Sequence, residues 1–219
     1  MDFNELVFAR RSVRSFTREP ISQSVIENLL RAGLAAPSPN DSTPWMIGVI
    51  TNGETIQRMR EAVENRLEQM FAAAGQKNRQ TLETIKVFST VFADAPLVLA
   101  VFSRPYEAPV FELLSDSDYS AEQINEMRRY PDIQATGALV QNILLAATNE
   151  GLGSCWVSGA LVARNELETI IGEPGMRSRQ LVCKRPQATA SRLRSVISST
   201  TRTPSMYLAP SATSASSAA

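Results

Sequence analysis

The stretch FARRSVRSF, from Phe8 to Phe16, places three arginines within five positions and no acidic residue among them. Three guanidinium groups so close together repel one another unless something negative lies between them. Two interpretations are open: the basic residues complement the carboxyl end of a helix, or they bind an anion. If the helix continued, Arg10 and Arg14 would lie one turn apart and both could face one phosphate.

A second stretch, AAPSPNDSTPW from Ala35 to Trp45, combines three prolines with short hydroxyl and amide side chains. Proline fixes φ and donates no backbone hydrogen bond, so this loop should be stiff and irregular. An ordinary connector is one interpretation. A rigid polar loop that leads into a buried strand is also well suited to gripping a planar polar ring.

The third stretch, GLGSCWVSG from Gly151 to Gly159, carries a G-x-G without the third glycine of the dinucleotide fingerprint. It also runs from a helix into a strand, which is the reverse of the order in a Rossmann site. The stretch instead predicts a helix C-cap that feeds a strand. The end of that strand, Ser158 and Gly159, should offer exposed backbone.

The chain of 219 residues, 43% apolar and 20% charged, is long enough for one domain with a substantial core. No apolar run approaches the roughly 20 residues that span a bilayer, and the N-terminus does not match a secretion signal. Cys155 and Cys183 each lie in an apolar run, which favours buried thiols over a disulfide. We therefore expect a cytoplasmic protein with no membrane partner.

No histidine and no CxxC pair occur. This excludes Ser-His-Asp and Cys-His catalytic schemes and most zinc sites. We expect no metal site and no catalytic side chain. The chemistry of an enzyme with this composition should come from a bound cofactor.

Helical and extended patterns alternate through the body of the chain. Ser22 is the expected N-cap of a helix with an Ile21–Ile26 staple, and the apolar run 95–103 suits a central strand buried on both faces. The pattern predicts helices over 21–36, 55–75, 131–153 and 164–174, and strands over 45–51, 95–103, 154–158 and 179–183. The side of the long helix that we expect to be apolar carries Ile133, Gly137, Val140, Leu144 and Leu145. This is an α+β or mixed α/β layout in which helices dominate.

Charge is distributed unevenly along the chain. Residues 1–173 hold 15 basic and all 22 acidic residues, a net charge of −7, whereas residues 174–219 hold 7 basic residues and no acid. The last part is rich in Ser, Thr, Ala and Pro and cannot bury much apolar surface. We place a domain over 1–187 and a low-complexity, largely disordered segment over 188–219.

The three stretches together, RRSxRxF, AAPS followed by PW, and GLGSCWxxG, resemble the FMN-dependent nitroreductase family over roughly residues 3–175. The resemblance implies a three-layer α+β fold with a central, mainly antiparallel sheet flanked by helices. It implies a homodimer with two FMN sites at the interface. Hydride would pass from NADH or NADPH through FMN to a small-molecule acceptor, such as a nitroaromatic or quinone, in a ping-pong sequence.

The resemblance also implies roles for individual residues. Arg10 and Ser12 would hold the FMN phosphate with Arg11 nearby, and Arg14 would lie toward the N1/O2 edge of the ring. The loop Pro37–Trp45 would reach the FMN of the partner chain, and Ser158 and Gly159 would lie near N5. The full set of expected cofactor-binding residues is Arg10, Arg11, Ser12, Arg14, Pro37, Ser38, Asn40, Asp41, Thr43, Ser158, Gly159 and Arg185.

The sequence departs from the family in two places. Asp41 and Thr43 stand where the loop usually carries Asn and Gln, and an acid near the flavin would oppose its reduction. The C-terminus keeps only a trace of the usual strand and turn, with Lys184 or Arg185 available as a phosphate ligand. Either a divergent tail or a shift of reading frame in a GC-rich gene accounts for the rest.

Two alternatives to the nitroreductase function stay open. One is another flavin chemistry, such as dehydrogenation or dehalogenation, decided by a lid over residues 104–131. The aromatic candidates in that lid are Tyr106, Phe111, Tyr119 and Tyr130. The other alternative is a flavin-poor, catalytically impaired protein. Nucleic-acid binding is disfavoured, because seven cations spread over 46 residues with few aromatics make a weak signal.

Overall fold

The computed structural model describes residues 1–72, 79–104, 106, 108–172 and 202–209. The helices in these ranges are α1 (Phe3–Ala9), α2 (Gln23–Leu34), α3 (Gly53–Phe71), α4 (Arg79–Ser89), α5 (Pro109–Leu113), α6 (Ala121–Met127), α7 (Pro131–Asn149) and α8 (Arg164–Ile171). The strands are β1 (Trp45–Ile50), β2 (Leu97–Ser103), β3 (Cys155–Val157) and β4 (Arg202–Ala209). Short 3-10 turns over Pro39–Asp41, Val91–Asp94 and Gly159–Ala163 connect them.

The described strands form one antiparallel sheet in the order β1-β2-β4-β3. Trp45 pairs with Ser103 across β1 and β2, and Cys155 pairs with Leu208 across β3 and β4. All seven residues of β2 are buried. The expected central strand buried on both faces is therefore confirmed.

Helices cover both faces of this sheet. Val98, Ala100 and Phe102 of β2 enter one apolar cluster, to which α3, α4 and α8 contribute. Leu97, Leu99 and Val101 enter the other, which is built with α2 and α7. Alternation along a single strand thus separates two layers of helices, as a period of two requires. The expected three-layer α+β fold is confirmed.

Local signals place several of the element ends correctly. The Ser22 side chain accepts a hydrogen bond from the Val25 amide and caps α2. The Asn52 side chain caps α3 in the same way. Helix α7 begins at a proline and ends at Asn149, close to the position expected from Gly151. The expected strand over 179–183 lies outside the described residues.

The buried side of α7 differs from the expected one. Ile133 is 44% exposed. The buried positions instead follow spacings of three and four from the first turn onward: Asp132, Ala135, Thr136, Leu139, Val140, Ile143, Leu144 and Ala147. Val140 and Leu144 are buried as expected, and the Ser103 hydroxyl donates to the buried Asp132 carboxylate in the first turn.

The C-terminal segment also differs from expectation. Residues 188–219 were expected to be largely disordered, but residues 202–209 form β4 between β2 and β3. Strand pairing uses backbone amide and carbonyl groups, so a segment of low-complexity composition can still complete a sheet. The domain boundary at 187/188 stays a prediction, and the rest of the segment lies outside the described residues.

We expect β4 to be protected from proteolysis because its backbone is paired on both edges. Limited digestion with chymotrypsin, followed by mass spectrometry, should cleave slowly after Tyr207 compared with the same site in protein unfolded by urea. Cleavage there at the rate of the unfolded chain, with residues 1–172 still intact, would contradict the placement of β4 in the sheet.

Candidate functional site

The arginine segment begins where α1 ends. The Arg10 amide donates to the Leu6 carbonyl as the last helical hydrogen bond, and the Arg10 backbone then becomes extended with φ −56° and ψ 126°. The Val13 amide donates to the Ser154 carbonyl at 2.9 Å, and Ser12 forms a bridge with Ser154. The segment therefore runs beside the start of β3. Arg10 and Arg14 are not one helical turn apart, because the helix does not continue.

A close backbone approach holds this segment in place. A Cβ at Gly153 would lie 2.9 Å from Cβ and both Cγ atoms of Val13, so only glycine fits there without a shift. Phe16, at the other end of the segment, packs against the apolar cluster of α3, α4 and α8. The first and third sequence stretches, 140 positions apart along the chain, thus meet because of one glycine.

The three arginines have different partners. Arg11 donates from one guanidinium nitrogen to the carbonyls of Phe8 (2.5 Å) and Arg10 (2.9 Å), at the carboxyl end of α1. Arg14 donates to the Ser12 carbonyl at 3.3 Å. Within the described ranges, no ion pair includes any of the three. Arg11 is a helix-end cation, whereas the charges of Arg10 and Arg14 lack an acidic counterpart there.

The field of these arginines reaches β3. Burial raises the pKa of the Cys155 thiol above its ordinary value, while the positive charges of Arg14 and Arg10 act in the opposite direction. Cys155 is buried and free, as expected for a thiol. Arg10 and Arg14 therefore lie close enough to the start of β3 to act on it electrostatically.

Ser154 is a further candidate for the site that the sequence did not indicate. It is 2% exposed, and its hydroxyl oxygen has no hydrogen-bond partner among the described residues. A buried hydroxyl without a partner is costly, so its position next to Ser12 calls for an explanation. No local sequence pattern distinguishes Ser154 from its neighbours in GLGSCW.

The other end of β3 carries Ser158 and Gly159, which are both exposed as expected. A Cβ at Gly159 would lie 2.5 Å from Oγ of the buried Ser89, at the end of α4. The residue before it, Phe88, lies under the guanidinium of Arg14, with 5.6 Å from Cζ to the ring centroid. The last turn of α4 thus joins the two sequence stretches, which sequence reasoning did not anticipate.

The loop Pro37–Trp45, between α2 and β1, holds a second group of expected site residues. Asn40, Asp41 and Thr43 all have positive φ, and the Thr43 amide donates to the Ser38 hydroxyl. The Asn40 side chain donates to the Tyr106 hydroxyl, and the 3-10 turn packs against α7. Non-glycine residues with positive φ are strained, and such strain collects at functional sites.

The expected site residues therefore fall into separate groups. Arg10, Ser12 and Arg14 lie together beside β3, which also carries Ser158 and Gly159. The described contacts do not connect the loop residues Pro37, Ser38, Asn40, Asp41 and Thr43 with that group. Arg185 and Lys184 lie outside the described residues. Among the lid aromatics, Tyr106 is buried, Tyr119 is exposed, and the Tyr130 hydroxyl donates to Glu122.

The described helices include none that is long and apolar enough to cross a bilayer. Among the described residues, no group of three or more Cys, Asp or Glu side chains is arranged to hold a metal ion. The clearest chemical feature is thus the cationic segment beside β3.

Two curated relatives resemble this chain in sequence. The protein named "Putative NAD(P)H nitroreductase YfhC" from Bacillus subtilis (strain 168) is 28% identical over 170 residues, which cover 77% of this chain and 75% of that protein. The iodotyrosine deiodinase of Hydra vulgaris is 29% identical over 174 residues, which cover 78% of this chain but only 62% of the deiodinase.

A solved structure is similar to this chain in its fold. The nitroreductase with bound FMN from Desulfitobacterium hafniense DCB-2 superposes with a TM-score of 0.61 at 19% identity, covering 95% of this chain and 88% of that one. The profile described as "Nitroreductase family" matches residues 7–183, which include both the arginine segment and β3. The chain belongs to the nitroreductase family.

Proposed function

We propose that this protein is an FMN-dependent oxidoreductase that takes a hydride from NADH or NADPH. It passes the electrons to a small-molecule acceptor, such as a nitroaromatic or quinone, in a ping-pong sequence. The observation that carries the proposal is that the segment with Arg10 and Arg14 runs beside Ser154, while neither arginine has an acidic partner among the described residues. Family membership supports the same class of reaction.

The residues of the arginine segment fit a phosphate group. Arg10 is half-buried and Ser12 is exposed, so a ligand can reach both. The buried Ser154, which forms a bridge with Ser12, lies behind them. A phosphate accepts hydrogen bonds from guanidinium and hydroxyl groups alike, and charge-assisted bonds of this type are strong. We therefore assign Arg10 and Ser12 to the phosphate of FMN.

The chain contributes binding, orientation and charge. When bound, FMN supplies the hydride and electron transfer that side chains do not. We assign Arg14 to the N1/O2 edge of the ring, where its positive charge favours the reduced cofactor. Ser158 and Gly159, exposed after β3, are assigned to the edge near N5. Thr43 and Asp41 of the loop are assigned to the FMN of a second chain.

A homodimer is part of the proposal. Phe3 and Phe8 of α1 are 72% and 73% exposed, Val7 is also exposed, and no residue of this helix is buried. A seven-residue helix is marginal by itself, so apolar cover from a second copy would stabilise it. The free, buried thiol of Cys155 is compatible with the reducing cytoplasm in which we place the protein.

Reductive dehalogenation is a second candidate function. The observation that favours it is the similarity to the deiodinase of Hydra vulgaris. That protein is 29% identical to this chain, and the nitroreductase relative is 28% identical. The two functions would share the FMN site and differ in the acceptor. The identity of the acceptor therefore distinguishes the two functions.

The purified holoprotein should be yellow, and heat should release FMN rather than FAD, because the segment offers one phosphate site and no dinucleotide fold. Without oxygen, NADH or NADPH should bleach the flavin band, and a nitroaromatic should restore it. Release of halide from a halogenated tyrosine, with no nitroaromatic turnover, would select the second function. A colourless protein that binds no added FMN would contradict both.

Arg10→Ala should weaken FMN binding about tenfold or more, because a charge-assisted contact is worth roughly 1.5–3 kcal/mol. The measurement is a titration of apoprotein with FMN, followed by flavin fluorescence. Arg31→Ala, which removes an exposed charge from α2, is the matched control and should bind FMN normally. If both variants bind FMN with the same affinity, Arg10 does not contact the phosphate.

The homodimer should lose flavin on dilution, because each site is proposed to need both chains. Sedimentation velocity should show a dimer whose dissociation and flavin release occur over the same concentration range. Phe8→Ser should move both transitions to higher concentration, since it removes exposed apolar surface from α1. A monomer that retains FMN at nanomolar concentration would contradict the shared site.

A further inference from the structure

The last turn of α4 contacts Arg14 and Gly159, two residues of the proposed flavin site, without belonging to any of the sequence stretches that predicted that site. The ring of Phe88 faces the Arg14 guanidinium at 5.6 Å, and the next residue, Ser89, packs against Gly159. Phe88 is 55% exposed and belongs to neither apolar cluster. A large aromatic ring at such a position contributes little to the core, and the described contact of its ring is with the Arg14 guanidinium.

The turn that carries Phe88 is firmly held. The Lys86 ammonium binds the carboxylates of Glu68 on α3 and Glu83 on α4. The Thr90 hydroxyl donates to the Lys86 carbonyl at 2.8 Å. Ser89 is 3% exposed, which fixes the backbone of the turn against the segment after β3. The backbone at Phe88 is therefore held by contacts that do not involve Arg14.

Arg14 is held much less firmly. Its side chain is exposed, and its described hydrogen bond is a long one to the Ser12 carbonyl, two residues away. A long cationic side chain with one weak local contact samples many rotamers in water. The face of Phe88 offers it a preferred position, because the aromatic quadrupole attracts a cation.

We propose that Phe88 is a positioning residue that holds the Arg14 guanidinium at the ring edge of bound FMN. This inference rests on the proposed function, which assigns Arg14 to that edge. Phe88 acts through Arg14 and carries out no chemistry of its own. Its loss should let the cation move into solvent and leave the reduced cofactor less stabilised.

The size of the effect follows from the strength of the contact. A cation over an aromatic ring at an exposed site shifts an equilibrium about two- to fivefold. For a two-electron couple a tenfold change is about 30 mV, so removal of the ring should lower the midpoint potential of bound FMN by up to about 20 mV. Arg14→Ala should lower it at least as much, since it removes the charge itself.

The experiment measures the midpoint potential of bound FMN in the holoprotein by equilibration with a reference dye. Phe88→Leu keeps an apolar side chain but removes the aromatic face, and it should lower the potential. Phe88→Tyr keeps the aromatic face and should have the midpoint potential of the wild-type protein. Val87→Ala is the matched control, because Val87 is 67% exposed on the same turn, and it should leave the potential unchanged.

A double-mutant cycle separates positioning from a general effect on the protein. In the Arg14→Ala background, Phe88→Leu should no longer change the potential. If Arg14→Ala lowers the potential while Phe88→Leu does not, the inference is overturned and the proposed function survives. The inference is also overturned if Phe88→Leu has the same effect in both backgrounds. If Arg14→Ala itself leaves the potential unchanged, the assignment of Arg14 in the proposed function fails, and the inference fails with it.

Discussion

The burial of β2 on both faces is the constraint on which the rest of the fold depends. All seven of its residues are buried, and alternate side chains enter the two apolar clusters. A buried strand must bond its backbone groups on both edges, which β1 and β4 do. Helices then cover both faces. The polar segments are left at the rim of the sheet, which is where the candidate site lies.

The helices and strands were predictable from the sequence wherever their signals lie within a few residues. The run 95–103, the cap at Ser22 and the strand around Cys155 were all found, because each pattern lies within a few residues. The strand β4 was not found. Its pairing partners lie about 100 and 50 positions earlier in the chain, and the pairing is made by backbone groups that composition does not report.

The sequence named candidate site residues, which stay a prediction, but it did not predict which of them lie together. The resemblance selected the arginine segment and the end of β3. The structure places the segment beside the start of β3 through Val13 and Gly153, and the last turn of α4 contacts both Arg14 and Gly159. It did not select Ser154 or Phe88. The importance of Ser154 lies in a missing hydrogen-bond partner, and that of Phe88 in a contact across 74 positions, so neither leaves a mark on the local sequence.

The arginine segment shows why the two interpretations of its charges did not exclude one another. Arg11 turns back to the carbonyls that end α1, which is the helix-end role. The backbone after Arg10 then extends toward Ser154. Arg10 and Arg14 therefore lie outside the helix, and no described acidic residue pairs with either of them. The three side chains have the same chemistry, so composition cannot assign the roles. The point where the helix ends assigns them, and the close approach at Gly153 fixes the course of the chain beyond that point.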